Sequence, residues 1–163
     1  MNDLDSVIRE MYDSICFEKG ERPEWSRSAA IFAPDARMVR INDSGIFEFA
    51  NQDAYRENFE AMIDSGEMPS FWEGELWRET RLFGDMAHVL SAYETRRSRN
   101  GEFMNRGVNS IQLFRRDGRW WISAMIWRRE GDDVRIPISA QESSASLRRS
   151  LSPTGLCSAR CTS

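Results

Sequence analysis

Three dipeptides, Gly84-Asp85, Asn100-Gly101 and Asp117-Gly118, punctuate the second half of the chain and separate runs rich in aromatic and aliphatic residues. Gly, Asn and Asp tolerate the positive φ that two-residue hairpin loops demand, so three such signals in succession predict an antiparallel meander. Its four strands are expected over Phe71 to Phe83, Met86 to Arg99, Glu102 to Arg116 and Arg119 to Arg128. Three of these exceed the usual upper length of about 10 residues, which a sheet tolerates by twisting and curling.

The first half reads differently. Leu4, Val7, Ile8, Met11, Tyr12 and Ile15 fall on one helical stripe, with Asn2 or Asp3 placed to cap its start and Gly20 past its end. Pro23 suits the first turn of a short second helix that carries Trp25, Ala29 and Phe32 on one side and stops at Pro34. A small hairpin is predicted next, from Ala36–Ile41 and Ile46–Phe49 around the turn-formers Asn42 to Gly45. A third helix starts near Asn51, carries Tyr55, Phe59, Met62 and Ile63 on one side, and ends at Gly66. The fold class is therefore α+β: three N-terminal helices packed in a strongly curved, mostly antiparallel sheet. One domain is expected over residues 1–133, followed by a Ser-rich tail over 134–163 with too few apolar groups to offset its ordering entropy and hence expected to be disordered.

Composition narrows the function. A formal charge of -4 over 163 residues argues against nucleic acid, whose phosphates require clustered cations. The acidic amphipathic N-terminus lacks the basic start and apolar run of a secretory signal, and no apolar run approaches the roughly 20 residues that span a bilayer. A cytoplasmic protein without membrane contact is the expectation. Cys16, Cys157 and Cys161 make no disulfide framework, and two thiols four apart supply half a tetrahedral metal shell, so neither metal nor cofactor is expected. The aromatic content, six Trp, nine Phe and three Tyr, exceeds what closing a core requires and suits a ring-lined cavity.

The order of elements resembles that of the nuclear transport factor 2-like superfamily and its SnoaL-like members. FAPDARMV, FGDMAHVLSAYE and RGVNSIQLFRRDGRWWISAMIW look like its second-helix exit, its fourth strand and its closing hairpin. The resemblance covers about residues 1–130 and implies a cone, a bent sheet wrapped around helices with a pocket at the open end. It also implies a homodimer through the outer sheet face, an arrangement that suits four long, Trp-rich strands with one face too apolar to stay wet.

Counting back from the three turns places Trp77, Ala92, Asn109 and Ile126 in one row across the meander. Arg81, His88, Leu113 and Ile122 form a second row of that face, and Glu75, Glu94 and Gly107 a third. Which face is concave stays open at this point. His88, the only histidine, and Glu94 are the candidate acid–base residues. Candidate ligand-binding residues are Tyr12, Trp25, Arg40, Trp77 and Asn109. In ketosteroid-isomerase-like relatives, a tyrosine placed as Tyr12 is donates to a developing oxyanion. Those relatives carry a catalytic aspartate shortly after the element ending in Val39, where this chain has Arg40, a permanent cation. If Met38 faces the interior, so does Arg40, which then needs an acidic partner or an anionic ligand. Two functions stand beside each other: a domain binding a small, mostly apolar organic ligand, and a lyase, isomerase or hydrolase acting on a small organic substrate by acid–base chemistry.

Overall fold

A computed structural model describes residues 3–136; Cys157, Cys161 and the Ser-rich segment from 137 onward lie outside the described residues. The elements run α1 (Leu4–Asp13), α2 (Trp25–Ala29), β1 (Phe32–Asn42), β2 (Gly45–Phe49), α3 (Gln52–Asp64), β3 (Trp72–Phe83), β4 (Met86–Arg96), β5 (Phe103–Arg116) and β6 (Arg119–Arg129). Asp3 caps α1 by accepting from the Ser6 amide at 2.6 Å, and Asn51 caps α3 by accepting from the Ala54 amide at 3.0 Å. Gly66, at φ 77°, follows α3 as its sequence position implies. Among the described residues no helix is long and apolar enough to cross a membrane.

All six strands form one curved sheet in the order β2-β1-β6-β5-β4-β3, with β1 parallel to β6 and every other pair antiparallel. The second helix is shorter than its apolar spacing predicts. Phe32 opens β1 instead of closing α2, and Pro34 lies within the strand, in the stretch where the register against β6 shifts between Phe32 and Arg37. A proline there leaves no gap in the hydrogen-bond ladder, because the ladder is already interrupted.

The outer two hairpins pair as expected, Phe83 with Met86 and Arg116 with Arg119, and Asp117 and Gly118 both adopt positive φ. The middle one does not. The Arg97 amide donates to the Glu102 carbonyl at 2.9 Å and the Gly101 amide to that of Ser98 at 2.9 Å, so Ser98 to Gly101 form a wider loop. A register shift at Thr95/Arg96 follows, and together they slip β4 against β5 by one residue from the two-residue-loop register. Further shifts lie between Glu75 and Trp77 in β3 and beside Gln112/Leu113 where β5 meets β6. Because side chains alternate, each shift exchanges the faces beyond it.

The inner rows are consequently Ala87, Leu113 and Ile122; Val89, Ile111 and Met125; and Ser91, Asn109 and Trp127. With Val7, Ile8, Met11 and Tyr12 of α1 they form the main core. Trp77, His88, Glu94 and Ile126 alternate with inward residues and occupy the outer face. Leu76 and Ile126 there stand 44% and 46% exposed, on the face where the expected homodimer would form.

Candidate functional site

Between the helices and the concave face lie two adjoining hollows, the lobes of the candidate site, each of about 40 Å³. Tyr55, Glu73 and Trp127 border both and form the waist. Met11, Ile15, Phe32, Met38 and Met125 make the first lobe apolar. Arg40, Arg129, Asn58, Thr95 and Asn105 bring polar and cationic groups to the second lobe, whose other walls include Phe59, Met62, Met68 and Phe71.

Glu73 reaches the waist because of two local features. The chain after α1 is tied to the start of β3 by a pair of backbone bonds between Phe17 and Phe71, at 2.9 and 3.0 Å, and the Glu73 amide donates to Cys16 Sγ at 3.3 Å. The shift between Glu75 and Trp77 then turns Glu73 and Glu75 inward while Trp77 stays outside. Burial pushes the Glu73 carboxyl up to about 8, against the opposing pull of the nearby Arg129 charge and a hydrogen bond from Asn109.

Arg40 follows Met38 inward, as alternation along β1 predicts. Its guanidinium lies 4.7 Å from the centroid of the Phe47 ring and 5.6 Å from that of Phe49, and its buried Nε has no hydrogen-bond partner. Burial and then the proximity of Arg129 depress its pKa, so the two cations share one lobe at mutual cost. Of the acidic partner or anionic ligand expected for Arg40, the acidic partner is not supplied by any ion pair among the described residues.

Tyr12 and Asn109 meet, but their protons are committed. Asn109 Nδ2 donates to Tyr12 Oη at 3.0 Å, Tyr12 Oη and Ser91 Oγ lie 2.6 Å apart, and Ser91 Oγ donates to Glu75 Oε1 at 2.6 Å. Since Ser91 spends its only hydrogen on Glu75, Tyr12 donates to Ser91, leaving no Tyr12 hydrogen for a ligand. Glu75 is held as acceptor by Arg78 at 3.1 Å. The expected oxyanion donor is thus part of a buried structural chain that fixes Asn109 beside Glu73.

The remaining candidates lie away from the cavity. His88 Nε2 pairs with Ser110 Oγ at 3.0 Å on the outer face. Glu94, also on that face, is held below the usual carboxylate range by its hydrogen bond with Arg96 at 2.9 Å and by Arg106, which suits a fixed ion pair and not a proton carrier. Trp77 pairs with Ala92 on the same outer surface, because the slips described above separate it, His88 and Glu94 from Asn109. Trp25 borders neither lobe; its Nε1 donates to Glu60 Oε1 at 2.6 Å and its ring meets Tyr55 and Phe59 edge-on, bracing α2 against α3. Glu73, Tyr55 and Arg129 are among the cavity residues that sequence reasoning missed, as are Met11, Met38, Met125 and Trp127. Gly74 was the available signal, since a glycine inside a strand marks a bulge or a close approach, and a Cβ there would meet the Trp72 ring at 2.2 Å.

No family model matches the sequence, and no curated protein does. Solved structures do. A protein of unknown function with a cystatin-like fold from Nostoc punctiforme superposes with a TM-score of 0.60 at 15% identity, over 79% of this chain and 90% of that one. An NTF2-like protein of unknown function from Pseudomonas putida KT2440 gives 0.60 at 13% identity, over 79% and 85%. A protein of Shewanella frigidimarina, provisionally named a ketosteroid isomerase, gives 0.53 at 14% identity, over 75% and 91%. The chain has the NTF2-like fold, as its element order led us to expect.

Proposed function

We propose that this domain binds a short organic acid, its carboxylate among Arg40 and Arg129 and its apolar end against the methionines of the first lobe. The observation that carries this reading is Arg40: a half-buried guanidinium that borders the cavity, has an unpartnered Nε and a second cation as neighbour, and is set on two aromatic rings. A buried cation of this kind is stabilised by an anion arriving in the cavity. A lobe of about 40 Å³ accommodates about three or four water-sized groups, so the apolar end is about three or four carbons long. Valerate has that length.

Calorimetric titration of valerate against pentan-1-ol tests the reading. Valerate is expected to bind and the alcohol much less, and Arg40→Ala is expected to weaken valerate by about 1–3 kcal/mol, the range for hydrogen bonds to charged groups. Equal affinity of acid and alcohol, or an Arg40→Ala variant that binds as wild type does, contradicts it.

A second reading, acid–base chemistry on the bound molecule, is favoured by one observation: a carboxyl raised to about 8 inside a cavity suits proton transfer near neutrality. It assigns to Glu73 the role that the sequence offered to His88 or Glu94. Incorporation of solvent deuterium into the carbon skeleton of a bound acid supports it, and its absence across a panel of short oxo and unsaturated acids counts against it.

A further inference from the structure

We propose that Glu73 is the residue that selects the ligand, binding in its neutral form and donating its carboxyl proton to the carboxylate of a short monocarboxylic acid, so that uptake of the acid is coupled to protonation. This rests on the reading of the cavity as a carboxylate site. Glu73 is common to both lobes, so an acid with its carboxylate in the cationic lobe and its chain in the methionine lobe must pass directly beside it. Among the described residues Glu73 forms no ion pair with an arginine, and a hydrogen bond reaches it from the Asn109 amide, which also donates to Tyr12. Two carboxylates in so narrow a space repel each other and compete for the same two arginines. A neutral Glu73 replaces that repulsion with a charge-assisted O–H···O bond, the short and strong kind. No covalent bond changes: where Glu73 already carries its proton none is taken up, and where it is ionised one proton is drawn from solvent for each acid bound.

The tyrosines and the thiol that face Glu73 are shifted away from the interval in which it titrates. Tyr12 on α1, Tyr55 on α3 and Tyr93 on β4 are all pushed well above their ordinary range by burial, and burial pushes the Cys16 thiol up to about 11. Arg129 on β6 and Arg40 on β1 are the cations nearest it in the second lobe, and Glu75 beside Glu73 on β3 is paired with Arg78. His88 lies on the outer face. A transition in ligand affinity between about pH 7 and about pH 9.5 therefore belongs to Glu73.

The test is calorimetric titration of the full chain with valerate across that interval, in two buffers of different ionisation heat. In wild type the affinity is expected to be flat below about pH 7 and to fall about tenfold per pH unit above about pH 9, with proton uptake rising toward one per acid bound. Glu73→Gln keeps a weaker, uncharged donor and should bind about tenfold less tightly at neutral pH with no pH dependence and no proton uptake. If valerate binds in an Arg40-dependent manner but with flat affinity and no proton uptake, the role of Glu73 is overturned and the carboxylate site survives. If valerate does not bind at any pH, the cavity reading falls and this inference with it. Should Glu73→Gln fail to fold, the proton count on wild type decides alone.

Discussion

Tyr12→Ala is expected to lower the unfolding free energy by about 3–5 kcal/mol, and Tyr12→Phe by about 1–3 kcal/mol. The larger figure contains the loss of a ring 3% exposed and packed in the main core beside Val7, Ile8 and Met11. The smaller one isolates the hydroxyl. Without it Asn109 Nδ2 loses one of its two acceptors and Ser91 Oγ loses its donor, and these residues are 3% and 0% exposed, so water does not replace the partner. Urea unfolding of both variants checks this. A Tyr12→Phe protein as stable as wild type contradicts the buried chain and restores Tyr12 as a group free to serve a ligand.

Met38→Ala is expected to cost about 2–5 kcal/mol and to change what the cavity accepts. Met38 is 1% exposed, packs in the core and borders the apolar lobe, so truncation removes buried surface and enlarges the space behind the waist. The rim of that space is sheet on one side and residues of α1, α2 and α3 on the other, which resists collapse and pushes the cost upward. The same void should move the preferred chain length from valerate toward hexanoate and heptanoate in calorimetric titrations. A stability change under about 1 kcal/mol, or an unchanged length preference, contradicts the placement of Met38 against the ligand.

Much of the fold was legible because its signals are local. The Asp3 and Asn51 caps, the stripe of α1, the glycine after α3 and the flanking turns at Gly84-Asp85 and Asp117-Gly118 each depend on neighbours within a few residues. Arg40 was legible for the same reason, since alternation from Met38 runs over two residues of one strand. The site was less so. Asn100-Gly101 carries the composition of a two-residue loop, yet the chain forms a wider loop from Ser98 to Gly101 and a shift beside it. That single slip separates Asn109 from Trp77, His88 and Glu94, which share its face when the strands are counted without it. The shift near Leu76 likewise carries Glu73 inward. Bulges are set by curvature over the whole sheet, and their positions leave only faint traces, such as Gly74, in the local sequence.

On this reading a short acid lies inside the sheet with its tail on the methionines and its head at Arg40. Methionine-methyl-labelled protein titrated with valerate tests it directly, through nuclear Overhauser contacts between the ligand's terminal methyl group and assigned methionine methyls. Contacts to Met11, Met38 and Met125, lost together in Arg40→Ala at the same ligand concentration, are the predicted result. Contacts to the exposed Met86 alone, or contacts that persist unchanged in Arg40→Ala, would place the acid elsewhere and contradict the account.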